Sequence, residues 1–275
     1  MVKKIIGKSF IYLMLLLMYA PILFLIVYSF SADRGFAFSK GFSLDLYRML
    51  FLDRSIMSGN EYIKVQQLWT AVTNSFVIAV VSGIVATILG GFGAIGVYFS
   101  KKQLKYAVHT VEQVQIATPE IVIALSIVIL FVSLGISKGF ITLLIGHVLL
   151  TLPFVVLSIV PKLKQMDPNL YEAALDLGAT PLVALRKVLI PEILPGIFAG
   201  FLLSVTLSLD DYIITALTKQ DTYETLATYI EKATRLGVPN YVRAFTTLLF
   251  IVVLLAVVCI NIYSAKQAKK GKKSR

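Results

Sequence analysis

Two adjacent aspartates close an otherwise apolar run, SVTLSLDD, at Asp210 and Asp211. Inside a membrane helix an ionised group costs about 2.5–3.5 kcal/mol on insertion scales, so it faces protein or water. Small residues recur every fourth position before the pair, at Gly196, Gly200, Ser204 and Ser208. At 100° per residue, Asp211 falls on that same narrow face, and Asp210 lies to one side, above Thr206. Two readings stay open. The pair is either a wet helix end with a structural hydrogen bond, or a contact for a cation in a pathway or at its outer gate. Glu120 has the same two readings, as an acid complementing a helix N-terminus or as a pathway group. Tyr212 and Tyr223 offer ring faces to a cation, and tyrosine also collects at membrane interfaces. His147, alone in an apolar segment, reads as a hydrogen-bonded packing residue, and His109 as interfacial. No nucleophile–base pair and no metal-ligand spacing is present, so no catalytic residue, metal or cofactor is expected. Gly7-Lys8-Ser9 mimics the tail of a phosphate-binding loop, but there is no room upstream for its first glycine or its strand. The single Cys259 sits in an apolar run and builds no disulfide framework.

The elements that carry these residues are apolar and long. The chain has 275 residues, 57% hydrophobic and 15% charged, with a mean hydropathy of +0.84. That composition points to an all-α, polytopic membrane protein. The net charge of +11 does not indicate nucleic acid, because the basic residues fall in short loops and at the termini. Residues 10–30 form an apolar run long enough to cross a bilayer, without a good cleavage site, and read as a retained first span over about 9–30. Further spans are expected at about 69–99, 111–135, 139–160, 193–217 and 244–263, followed by a basic tail, 264–275. The second is rich in small residues, from Ala79 through Gly83, Ala86 and Gly90 to Gly96, which permit close helix approach. The start of the third is open. Thr118-Pro119-Glu120 begins a short helix, or Pro119 kinks a longer one from Val111. Pro153 is expected to kink the fourth.

Residues 31–69 form the longest polar connection, with a short helix such as Leu44–Phe51. It is a solvated loop or an outer cap that meets another protein. Six spans put both termini on one side. The termini, the 101–105 loop and the 162–187 segment hold sixteen lysines and arginines, against ten in the other connections. The richer set marks the cytoplasmic side.

One polar stretch, YEAALDLGATPLVALRKVLIP (171–191), interrupts the apolar pattern. Glu172 to Leu177 favour helix. Gly178 can take a left-handed backbone and end it. Thr180 can cap a second helix with Pro181 at its first position. Leu182, Leu185, Val188 and Leu189 give that helix an apolar stripe, and Pro191 is expected to stop it. The product is a helix–turn–helix elbow suited to docking in a groove on another protein.

Glu172-Ala173-Ala174, then Gly178, then Val188-x-Ile190-Pro191 resembles the EAA loop of ABC transporter permeases. That loop reads EAA, three residues, Gly, nine residues, then Ile-x-Leu-Pro. The likeness extends from Asn74-Ser75 to the sixth span. The run from Ser204 to Thr218 resembles PotC-type spermidine/putrescine permeases. The resemblance implies a type I importer permease of MetI-like fold, in a bacterial cytoplasmic (inner) membrane. It implies a single permease domain with an elbow at about 168–191 that couples to the ATPase. On that reading Glu172, Ala173, Ala174, Asp176, Gly178, Ala179 and Pro191 would carry the coupling, and in the pathway reading of the acidic residues Asp210, Asp211, Glu120 and Tyr212 would meet the substrate. The implied partners are a dimer of ATP-binding cassette ATPases, a second, PotB-like permease, a PotD-like external binding protein and membrane lipid, with no nucleic acid. The chain itself would not be an enzyme. Another small solute is the alternative substrate. A self-sufficient secondary transporter is the rival class, but a second copy of the elbow or of the Asp-Asp run is missing.

Overall fold

The computed structural model describes residues 2–31, 41–51, 59–236 and 239–273, and among them every extended element is a helix. The helices are α1 (Val2–Ser29), α2 (Asp45–Leu50), α3 (Gly59–Phe99), α4 (Lys102–Ala117), α5 (Glu120–Ser133), α6 (Phe140–Gln165), α7 (Pro168–Asp176) and α8 (Pro181–Ala184). A π-helical turn, Leu185–Leu189, leads into α9 (Ile190–Asp210), and α10 (Ile213–Thr218), α11 (Leu226–Leu236) and α12 (Asn240–Lys273) follow. Among the described residues, five helical segments are long and apolar enough to cross a membrane. A sixth span exists when α4 and α5, bent by 104° at their junction, are taken together.

The bend resolves the open start of the third span. Pro119 precedes Glu120, which opens α5, and α4 is a separate helix rather than the first part of a kinked one. The residue before a proline avoids the helical region, and Thr118 has an extended backbone (φ −75°, ψ 130°). The helix that carries the second span, α3, begins at Gly59, ahead of the expected span start near 69, and α6 runs through Pro153 and Pro161 to Gln165, past the expected span end near 160.

The chain divides into two compact units, residues 1–67 with 233–275, and residues 68–232. In the first, α12 packs against α1 and α2. The short helix expected near Leu44–Phe51 is α2, which buries Leu46 and Leu50. Phe30 stacks on Phe42 at 5.5 Å, and Ser29 and Tyr47 share a 2.7 Å hydrogen bond. Residues 32–40 and 52–58, part of the charged stretch read as an outer cap, lie outside the described residues, as do the last two residues of the basic tail.

In the second unit α6 is the central helix, packed against α9, α10, α5 and α4. Small residues set its distance from α9. A Cβ on Gly196 would lie 3.0 Å from the Ser158 carbonyl oxygen, and one on Gly200 would lie 3.3 Å from the Val155 Cα. Gly196, Gly200, Ser204 and Ser208 are all buried, so the fourfold spacing marks this packing face. Val155, Ile159, Leu163, Leu189 and Ile193 fill the core beside it, with Ala86 and Ala94 of α3.

Candidate functional site

The fifth span is not one helix through residue 217. It ends at Asp210, and Asp211 has an extended backbone (φ −66°, ψ 125°) that breaks it from α10. The φ of Asp211 is still helical, so its side chain stays on the buried small-residue face toward α6, and only the chain beyond it turns away. Its carboxylate accepts the Ile214 N–H at 3.1 Å, the Thr215 N–H at 2.8 Å and the Thr215 hydroxyl at 2.7 Å. Those are donors that the first turn of α10 leaves without helical partners. Asp211 is only 5% exposed.

His147 of α6 reaches the same point. Its Nε2 lies 2.9 Å from Thr215 Oγ1 and 3.5 Å from Asp211 Oδ2, and its Nδ1 lies 2.6 Å from Ser208 Oγ. Ser82 of α3 donates to Ser208 Oγ at 3.2 Å. Donor counting orders the chain. Thr215 spends its proton on Asp211, so His147 Nε2–H donates to Thr215. Ser208 then donates to His147 Nδ1 and accepts from Ser82. One directed chain thus joins α3, α9, α6 and α10 in the apolar interior.

Glu120, first residue of α5, sets its carboxyl against that of Asp211, with Asp210 nearby. Glu120 is half-buried, Asp210 is exposed and Tyr212 is half-buried. The structure thus gathers three carboxyls of two kinds. Asp211 is saturated with donors and also engages the half-buried Glu120 carboxyl, while Asp210 is open to solvent and suited to a cation. Tyr223 is committed elsewhere, donating its hydroxyl to the Asn74 carbonyl at 3.2 Å. No cluster of metal-ligating side chains occurs among the described residues. The sequence reading missed His147 as the partner of Asp211. The available signal was a second ionisable residue in an apolar span, and the pairing lies 64 positions away in sequence.

The elbow is built locally. Asp167 caps α7 by accepting the Asn169 N–H at 3.0 Å, with Pro168 as the first helical residue. At the other end the Gly178 N–H bonds the Leu175 carbonyl at 2.9 Å, and the Ala179 N–H bonds the Ala174 carbonyl at 3.0 Å. This is the Schellman pairing, which needs a left-handed residue, and Gly178 has φ +86°. Thr180 precedes α8, but its side chain makes no capping bond.

Pro191 does not stop the second helix, which continues into the fifth span as Pro181–Asp210. Proline clashes with the carbonyl four residues back in an α-helix. The π turn just before it widens the ladder, with the Ile190 N–H reaching five residues back to Leu185. The apolar stripe is split as well. Leu189 is buried in the core, with Leu185 packed beside it, while Leu182 is 75% and Leu177 89% exposed. The exposed tip therefore consists of Leu177, Gly178 and Leu182, flanked by Glu172, Ala173 and Asp176. Its base is fixed by buried Met166 and by Tyr171, whose ring lies 5.1 Å from that of Phe99.

Residues 83–270 match the family described as binding-protein-dependent transport system inner membrane component. The chain belongs to that family. Its members are inner-membrane components of transport systems, and the apolar helices make this one a multi-pass protein. Among curated relatives, the spermidine/putrescine transport system permease protein PotC of Haemophilus influenzae is 34% identical, over 94% of this chain and 96% of its own. The protein of that name from Escherichia coli is 32% identical over 98% and 97%. A solved structure of a bacterial ABC transporter that imports the acidic polysaccharide alginate superposes with a TM-score of 0.70. It is 16% identical, covers 95% of this chain and 96% of that one, and shares the fold. The family match includes both the elbow and the carboxyl site.

Proposed function

We propose that this chain is the permease subunit of an ATP-driven importer that moves a polyamine, spermidine or putrescine, through the membrane. Support for the substrate comes from near full-length likeness to two spermidine/putrescine permeases. The exposed carboxylate of Asp210 agrees with it, since an exposed anion attracts a cation without giving up existing bonds. Asp211 then acts one step back, fixing α10 and the Glu120 carboxyl, and Tyr212 lies beside the pathway.

The elbow at 168–191 is the coupling part, carried by Glu172, Ala173, Ala174, Asp176, Gly178, Ala179 and Pro191. The observation that carries this reading is the exposed apolar tip, Leu177 and Leu182, on a turn fixed by backbone hydrogen bonds. Such a tip fits a groove on an ATPase, and the unbroken helix from Pro181 to Asp210 transmits its movement to the carboxyl site as a rigid body. The remaining partners are a second, PotB-like permease and a PotD-like external binding protein. Both termini and the elbow face the cytoplasm.

The test is uptake of labelled spermidine and putrescine by vesicles containing the complete transporter. ATP-dependent accumulation that excess unlabelled polyamine abolishes is expected. Uptake of neither polyamine, with active uptake of another solute, overturns the substrate and leaves the coupling role standing.

A further inference from the structure

A groove opens where α4 leans over α3 and α6. Its wide end is a cavity of about 530 Å³ bordered by Lys102, Lys105 and Lys164 with Tyr98 and Tyr106. A second cavity, about 350 Å³, shares Val97, Val108 and Val156 with the first and continues along Gly93, Val111 and Leu152. The lining is almost wholly apolar beyond the lysines. All three lysines are exposed, and none forms an ion pair with a described residue. Lys105 lies over the Tyr98 ring at 5.4 Å. The carboxylate in the groove, Glu112, faces His109 at 3.8 Å. Lys101, the residue before α4, contributes no side-chain cap, so the first N–H groups of α4 add to the positive end.

This is a basic mouth on an apolar bore. Three ammonium groups repel a polyamine, so the groove is a poor path for a cation. A small free anion would have no use for the bore. A molecule with one anionic end and long hydrocarbon chains satisfies both halves, and basic pockets between membrane helices bind acidic lipid head groups. We propose that the groove holds one anionic phospholipid, with its phosphate at Lys102, Lys105 and Lys164 and one acyl chain along Val108, Val156, Gly93 and Leu152. The two tyrosines suit the level of the head groups. Gln115 donates to the Leu149 carbonyl and holds α4 over the bore.

The full-length chain, purified with the subunits that stay bound and stripped of lipid, is titrated in native mass spectrometry. The probes are dioleoyl phosphatidylglycerol and dioleoyl phosphatidylcholine. The expected result is one tight site, at least fivefold selective for phosphatidylglycerol. Replacing the lysines together (Lys102→Gln, Lys105→Gln, Lys164→Gln) should bring that selectivity within twofold, whereas Lys138→Gln with Lys219→Gln should leave it intact. Gly93→Leu fills the bore, and a Cβ there meets nothing within 4 Å. It should weaken both lipids at least threefold without disturbing the fold. Wild-type selectivity in the triple variant overturns the proposal. So does displacement of the lipid by glycerol phosphate alone, which would mean a head-group site only. Absence of a selective site in the wild type also overturns it, because another subunit would then occupy the groove.

Discussion

Asp210 and Asp211 are neighbours in sequence and opposites in environment, and substitution should separate them. Asp210 is exposed. Asp210→Asn should leave thermal stability within about 0.5 kcal/mol, as at most surface positions, yet raise the KM for polyamine uptake severalfold. Asp211 accepts three hydrogen bonds in the interior. Asparagine keeps one acceptor oxygen and turns an NH₂ group toward donors. A buried group left unpaired costs about 1–3 kcal/mol, so Asp211→Asn should lower the melting temperature as well as uptake. Equal melting temperatures for the two variants would refute this division. His147→Phe should resemble Asp211→Asn, because it strips Ser208 of an acceptor and Thr215 of a donor. Its melting temperature should fall, and its uptake KM per folded protein should change less than that of Asp210→Asn. The sequence made the carboxyls legible as rare charges in apolar surroundings. It did not make their division of labour legible. That depends on Asp211 meeting Thr215 and His147, and on a helix end that has neither glycine nor proline to announce it.

Gly178 carries the clearest test of an element. A Cβ there meets nothing within 4 Å, so the whole effect of substitution comes from its φ of +86°. A left-handed backbone costs a residue with a side chain about 1–2 kcal/mol, and asparagine bears it best after glycine. Gly178→Val should reach the membrane in normal amount, copurify poorly with the ATPase and lose most uptake, while Gly178→Asn should keep most of both. Wild-type behaviour of Gly178→Val would remove the elbow as the mechanical link. Leu177→Asp separates docking from folding. The side chain is 89% exposed, so stability should hold while ATPase binding falls. This turn was readable because its requirement is local: a helix former, a glycine, then Thr-Pro. The π turn was not. Pro191 alone reads as a stop, whereas the π turn before it accommodates the ring and Leu189 and Ile193 are buried in the core shared with α6 as the helix continues.

At the scale of the molecule, orientation decides whether these parts can work together. Within the second unit, the Tyr171–Phe99 contact brings the elbow to the end of α3. Lys102, Lys105 and Lys164 meet around the cavity at that same end. Charges scattered through the sequence therefore gather at one face, which strengthens the count of sixteen basic residues against ten. Positively charged loops are retained in the cytoplasm, so this face and the elbow should lie inside. Six spans, with α4 and α5 taken as one, would then put both termini inside and residues 31–69 outside. With Cys259 replaced by alanine, a cysteine at Gly59 should react with an impermeant thiol reagent in intact cells. A cysteine at Lys270 should react only after the cells are opened. The reverse pattern would put the elbow outside, where no ATP-hydrolysing partner could reach it, and coupling through Gly178 would fail together with the topology. Reaction of both in intact cells would mean an odd number of crossings, and would show that α4 and α5 turn back at their 104° bend instead of forming one span.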